Sequence, residues 1–151
     1  MGMIKRILQS LRPIYMQDPF FGRIRFDKVG FWIASASFKP VGTPVEVLIA
    51  ADEKGPVEAE REFYREIERR YETLLEIILN AIIEEAKEEA LWKPEFSRES
   101  LRKDLRLDTI NIDPQDQGDA RWDITFWINS IGRMATLLFR NWTIEDVLLE
   151  C

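Results

Sequence analysis

The chain has 151 residues, a net charge of −6, no histidine and one cysteine. That length buries one full hydrophobic core, and the composition is that of a folded domain, so a single α+β unit over residues 1–151 is expected. The acidic balance argues against a general nucleic-acid binder, which needs a basic face. Cys151 as the only cysteine excludes an internal disulfide and any multi-cysteine metal site, and it fits a reducing, cytoplasmic setting.

In chain order, Ile4, Ile7, Leu8 and Leu11 fall at i, i+3, i+4 and i+7 and predict a short amphipathic helix, ended by Pro13. Charge interrupts its apolar positions and no small-residue cleavage site follows, so a secretory signal is not expected. No run approaches the roughly 20 apolar residues of a membrane helix, and no membrane partner is expected. Asp18-Pro19 then starts a turn. "GRIRFD" alternates with period two and predicts a strand, and "FWIASASF" a second one after Lys28-Val29-Gly30. Beyond Pro40, Gly42 and Pro44, "VEVLIAA" predicts a third strand with Val45, Val47 and Ile49 on one face. The aromatics between Phe20 and Trp32 sit at strand spacing, which assigns them to a core over a binding surface.

Pro56 stands at a helix start, and Val57 to Trp92 reads as helix. Phe63, Ile67, Tyr71, Leu74, Leu75, Ile78, Ile82 and Ala86 make its apolar stripe. A helix of this length exceeds what a small domain needs, which makes Asn80 a candidate break. Around it "LLEIILNAII" is apolar on nearly every side, so Leu74 to Ile83 must be covered by the sheet plus another helix or a second copy of the chain. Ser97 is positioned to cap a short helix over "SRESLRKDL". "RLDTINID", "RWDITFWIN" and "RMATLLFRNW" predict strands, separated by the polar turn "PQDQGD" and a turn at Ile131-Gly132. "TIEDVLLEC" suits either a closing strand or a last helical turn. The resulting architecture is an antiparallel sheet of about six strands, from two three-stranded meanders, with the long helix packed across it.

Chemistry is limited by what is missing. Without histidine there is no Ser-His or Cys-His pair and no common zinc ligand. No glycine-rich nucleotide loop occurs. Asp113, Asp116, Asp119 and Gly118 suggest calcium, but Gln115, Gln117 and Ile124 stand where an EF-hand needs ligands. No catalytic residue, cofactor or metal is therefore assigned, and an enzyme would rest on carboxylates, Lys or Tyr. The "NWT" sequon at Asn141 matters only in a secreted protein.

Charge on the long helix is more informative. Its second half carries Glu72, Glu76, Glu84, Glu85, Glu88 and Glu89 against Lys87 alone. Acids there oppose the helix dipole, and the pairs Glu84/Glu88 and Glu85/Glu89 repel at i, i+4. These four glutamates are the candidate partner-binding residues, for a basic protein.

The first half resembles a group of small, poorly characterised bacterial proteins. The shared features are Asp18-Pro19-Phe20-Phe21-Gly22 at a strand start, Trp32 in the next strand, Pro40-Val41-Gly42-Thr43-Pro44-Val45-Glu46-Val47, and Asp52-Glu53-Lys54-Gly55-Pro56 before the helix. Some proteins of similar size and architecture are immunity proteins to secreted toxins. The resemblance makes an immunity role a candidate, and the glutamate cluster with the missing catalytic groups leads to the expectation of a non-enzymatic, cytoplasmic, protein-binding domain of that kind. The alternative is a structural homo-oligomer assembled through Leu74–Ile83, and a carboxylate-based hydrolase ranks third.

Overall fold

A computed structural model describes residues 13–27, 30–113 and 119–151. The expected first helix (Ile4 to Leu11), Lys28-Val29 and most of the "PQDQGD" turn lie outside these residues.

Eight strands form one sheet in sequence order: β1 (Ile14–Asp18), β2 (Gly22–Phe26), β3 (Phe31–Phe38), β4 (Thr43–Ala50), β5 (Leu105–Asp113), β6 (Arg121–Ile128), β7 (Arg133–Arg140) and β8 (Thr143–Glu150). This corrects the six-stranded antiparallel expectation in three respects. Residues 14–18 pair with β2, Ile14 opposite Phe26 and Asp18 opposite Gly22. Their strand is short and lies at an edge, with Ile14 and Tyr15 exposed, so it lacks the apolar alternation of a half-buried strand. The ambiguous C-terminal segment closes the sheet as β8, with Leu149 opposite Ala135. Finally, β4 and β5 pair in parallel, Val47 opposite Ile110, so the two meanders join into one mixed sheet.

That parallel junction explains the long helix. A parallel neighbour begins at the same end of the sheet, so the chain must cross back over a face to reach it. The crossover is α1 (Glu58–Glu88), followed by the short α2 (Arg98–Asp104). At 31 residues α1 is about 46 Å long and runs through Asn80 without a break. Asn80 is exposed, and its carboxamide oxygen accepts from Arg98 of α2. Ser97 caps α2 as expected, accepting from the Ser100 amide at 3.0 Å.

The core lies between α1 and one face of the sheet. Tyr64, Ile67, Tyr71, Leu74, Leu75, Ile78, Leu79, Ile82 and Ala86 are buried at three- and four-residue spacing. They meet the inward row of each strand, including Trp32, Val47, Ile110, Ile124, Phe126 and Leu137, all at or near zero exposure. Of the early aromatics, Phe20, Phe21, Phe26 and Trp32 belong to this core, whereas Phe31 points to the opposite face of the sheet, against the expectation. Phe20, Phe21 and Phe38 surround Tyr64 edge-on with centroids 5.5–5.9 Å away, and the Tyr64 hydroxyl donates to the Ser37 carbonyl at 2.9 Å.

The "DPFFG" turn is tied to the front of the helix. Asp18 accepts the amides of Phe20 and Phe21 at 2.9 and 2.8 Å, an Asx-type turn, and its other oxygen accepts from Arg61 at 2.6 Å. Gly22, with φ +77°, completes the corner. At the opposite end of the sheet hairpins, Asn141 takes φ +52° in the β7–β8 turn, and its side chain accepts the Ala120 amide at 3.0 Å.

Candidate partner-binding surface

Along α1 the acids fall into three groups. In the first, Glu58, Glu62 and Glu66 pair with Arg61, Arg65, Arg69 and Arg70 at i+3 and i+4. Glu68 accepts the Lys39 amide at 2.8 Å, fixing the β3–β4 turn to the helix. In the second, Glu72 and Glu76 receive Arg102 and Arg98 from α2. This corrects the reading that these two glutamates face only Lys87. Their counter-charges are more than twenty residues away in sequence and become neighbours only in the fold.

The third group is Glu84, Glu85, Glu88 and Glu89, and among the described residues no cation comes within ion-pair distance of any of them. Glu84, Glu88 and Glu89 are exposed, while Glu85 is partly buried. Partial burial comes first in raising the Glu85 carboxyl above its ordinary value, followed by repulsion from Glu88 and Glu89, a hydrogen bond to Glu89, and the charge of Asp146. Asp146 lies on the edge strand β8, and its charge adds to the repulsion at Glu85. Sequence reasoning missed it because nothing in "TIEDVLLE" shows that the segment returns to the end of α1. The helix stops beside this cluster. The amides of Leu91 and Trp92 turn back to the Ala86 carbonyl at 2.7 and 3.2 Å, with Ala90 left-handed at φ +57°.

The alternative interface is not a free surface. Leu74, Leu75, Ile78, Leu79 and Ile82 belong to the chain's own core, and Ile77 is the large apolar residue of the Leu74–Ile83 segment that stands exposed. The sheet and α2 supply the cover that the apolar run requires.

Two buried acids stand apart from this surface. Asp18, held by Arg61 and two amides, is kept below its ordinary range although its burial opposes this. Glu60 in the first turn of α1 is 3% exposed; its Oε1 accepts the Val57 amide at 3.0 Å and its Oε2 has no partner among the described residues. Burial, with a smaller contribution from Asp113, pushes its carboxyl up to about 7. Among the described residues, no set of three or more carboxylate or thiol groups converges to hold a metal ion. No helix there is long and apolar enough to cross a membrane.

No family model, curated protein or solved structure matches the chain.

Proposed function

We propose that the chain is a non-enzymatic protein-binding domain of the immunity type, which docks a basic partner through Glu84, Glu85, Glu88 and Glu89. The observation that carries this reading is a contrast in charge compensation. Every glutamate upstream on the helix surface has an arginine or a backbone amide as its partner, and these four have neither. Their repulsion acts where the helix dipole is also unfavourable to them, so the cluster costs the isolated fold stability. A basic surface removes both penalties on contact and attracts the cluster from a distance. The Leu74–Ile83 oligomer is the weaker reading, since its apolar residues are already internal.

The test is affinity capture at low and high salt by the wild type and by a Glu85→Lys/Glu89→Lys double variant. A basic protein retained by the wild type at low salt, and lost both at high salt and with the variant, supports the reading. Binding that survives the charge reversal refutes it.

A further inference from the structure

The face of the sheet opposite α1 carries a small cleft that the helix surface does not involve. Cross-strand register places Leu48, Asn111, Asp123, Leu138 and Asp146 in one row from β4 to β8. Beside it, Asp113 stands opposite Arg121. The cleft of about 190 Å³ opens between these rows, with Phe31 and Leu138 as apolar walls. Two of its polar groups are incompletely satisfied. The Asn111 amide donates to Asp123 at 3.3 Å, but its carbonyl oxygen Oδ1 is buried without a donor among the described residues. A buried acceptor in that state has lost water and gained nothing, and such groups are rare in native structures. Asp123 in turn has that one long hydrogen bond, and burial raises its carboxyl above the ordinary value.

The charges around the cleft favour a monocation. Glu145 is neutralised by Arg140 at 2.8 Å, which leaves the carboxylates of Asp113 and Asp123 against the single guanidinium of Arg121. A ligand that satisfies the site must bring at least two N–H donors, one for Asn111 Oδ1 and one for Asp123 on the adjacent strand. It must also tolerate apolar walls. An ammonium is compact and strongly hydrated, whereas a guanidinium is planar, weakly hydrated and presents a rigid fork of donors. We infer that the cleft between Asn111 and Asp123 binds a guanidinium group, donated to both residues and packed against Phe31 and Leu138. The group has two possible sources, a free small molecule or an arginine side chain of a partner.

The experiment is a titration of isotope-labelled protein, followed by the side-chain carboxamide resonances of Asn111, with methylguanidinium at constant ionic strength. Tetramethylammonium, of equal charge but without N–H donors, is the control. Saturable shifts with methylguanidinium alone support the inference, as does a loss of about tenfold in affinity for Asp123→Asn, read at Asn111, and for Asn111→Ala, read at the backbone amide of Asp123, the size of one charge-assisted hydrogen bond. Melting curves like the wild type's show that either variant still folds. A second arm uses an unstructured arginine-bearing peptide. Displacement of that peptide by methylguanidinium identifies a side-chain source, and binding of methylguanidinium alone identifies a small molecule. Equal shifts with tetramethylammonium, wild-type affinity in both folded variants, or no saturable shift with either guanidinium source overturns the inference. Glu85→Lys/Glu89→Lys protein retains cleft binding, so failure here and failure of the helix surface are told apart.

Discussion

The two ends of α1 treat the same residue type in opposite ways. At the front, Glu58 and Glu62 are paired within a turn or two, Arg61 bridges to the buried Asp18, and Glu60 is enclosed altogether. At the rear, four glutamates sit in the last two turns and, among the described residues, no cation comes within ion-pair distance of them. The front also follows the helix dipole, with acids in the first turn, while the rear opposes it. Stability explains the paired acids of the front, with the enclosed Glu60 as the exception. The rear has an arrangement that stability alone disfavours, and this places a functional reading there.

Breaking the front should have the largest effect. Arg61→Ala leaves Asp18, with 2% of its surface exposed, without its counter-charge. We expect a loss of about 2–3 kcal/mol in denaturant unfolding, below the full range for a buried pair because two amides still hold the carboxylate. Because Asp18 has a lowered carboxyl, its contribution is present at neutral pH and is lost as pH falls below its ordinary value of 3.8. Unfolding curves that stay flat through that acid range in the wild type would contradict this.

Glu60 reverses the sign. Its carboxyl is raised from 4.5 to about 7, so the folded state holds a proton that the unfolded chain has released. The stability it contributes is complete below 4.5 and is lost as pH rises through 7. Glu60→Gln keeps an oxygen for the Val57 amide and removes the charge. The variant should lose the downward slope between those values and be more stable than the wild type above them, by about 2 kcal/mol. Thermal melts across that range check it, and an unchanged slope would show that Glu60 is better solvated than its burial indicates.

How much of this was legible in the sequence divides along the same axis. Local signals gave the elements. The stripe from Ile67 to Ala86, the Ser97 cap and the alternation in "RWDITFWI" each depend on neighbours within a few residues, and each matches the structure. What depended on distant pairing was not readable. The parallel β4–β5 junction leaves no mark on either strand, because Val47 and Ile110 are as apolar as antiparallel partners would be. Edge strand β1 has too little buried surface to show a pattern. For the site, the four glutamates were visible as an uncompensated run. That Glu72 and Glu76 are neutralised by Arg102 and Arg98, and that Asp146 adds its charge at Glu85, required the fold. The Asn111–Asp123 pair had a faint trace: a polar residue at the centre of both "INI" and "WDI", on the face that the helix leaves uncovered.

A smaller test addresses where the rear of the helix stops. Ala90 holds φ +57°, a conformation that favours glycine. Ala90→Gly should stabilise the fold by up to about 1 kcal/mol, after the entropy that glycine loses on folding is subtracted. Because the substitution changes no charge, it should leave partner binding unaltered, and it serves as the control for any variant that stabilises the helix end.

The smallest effect on stability carries the most meaning. Replacing Glu88 by lysine removes an acid from the last turn, converts the Glu84 repulsion into an i, i+4 attraction, and places a cation where the dipole favours one. Each change contributes a few tenths of a kcal/mol, so Glu88→Lys should raise stability by about 0.5–1 kcal/mol in denaturant unfolding. The same substitution should weaken capture of a basic partner, and the loss should shrink as salt rises because screening already removes the wild type's advantage. A variant that is both more stable and a poorer binder ties the cluster to binding, since a purely solvated face would show the first change without the second. Gain of stability with capture unchanged would return these four glutamates to the role their counterparts at the front already fill, that of soluble helix surface.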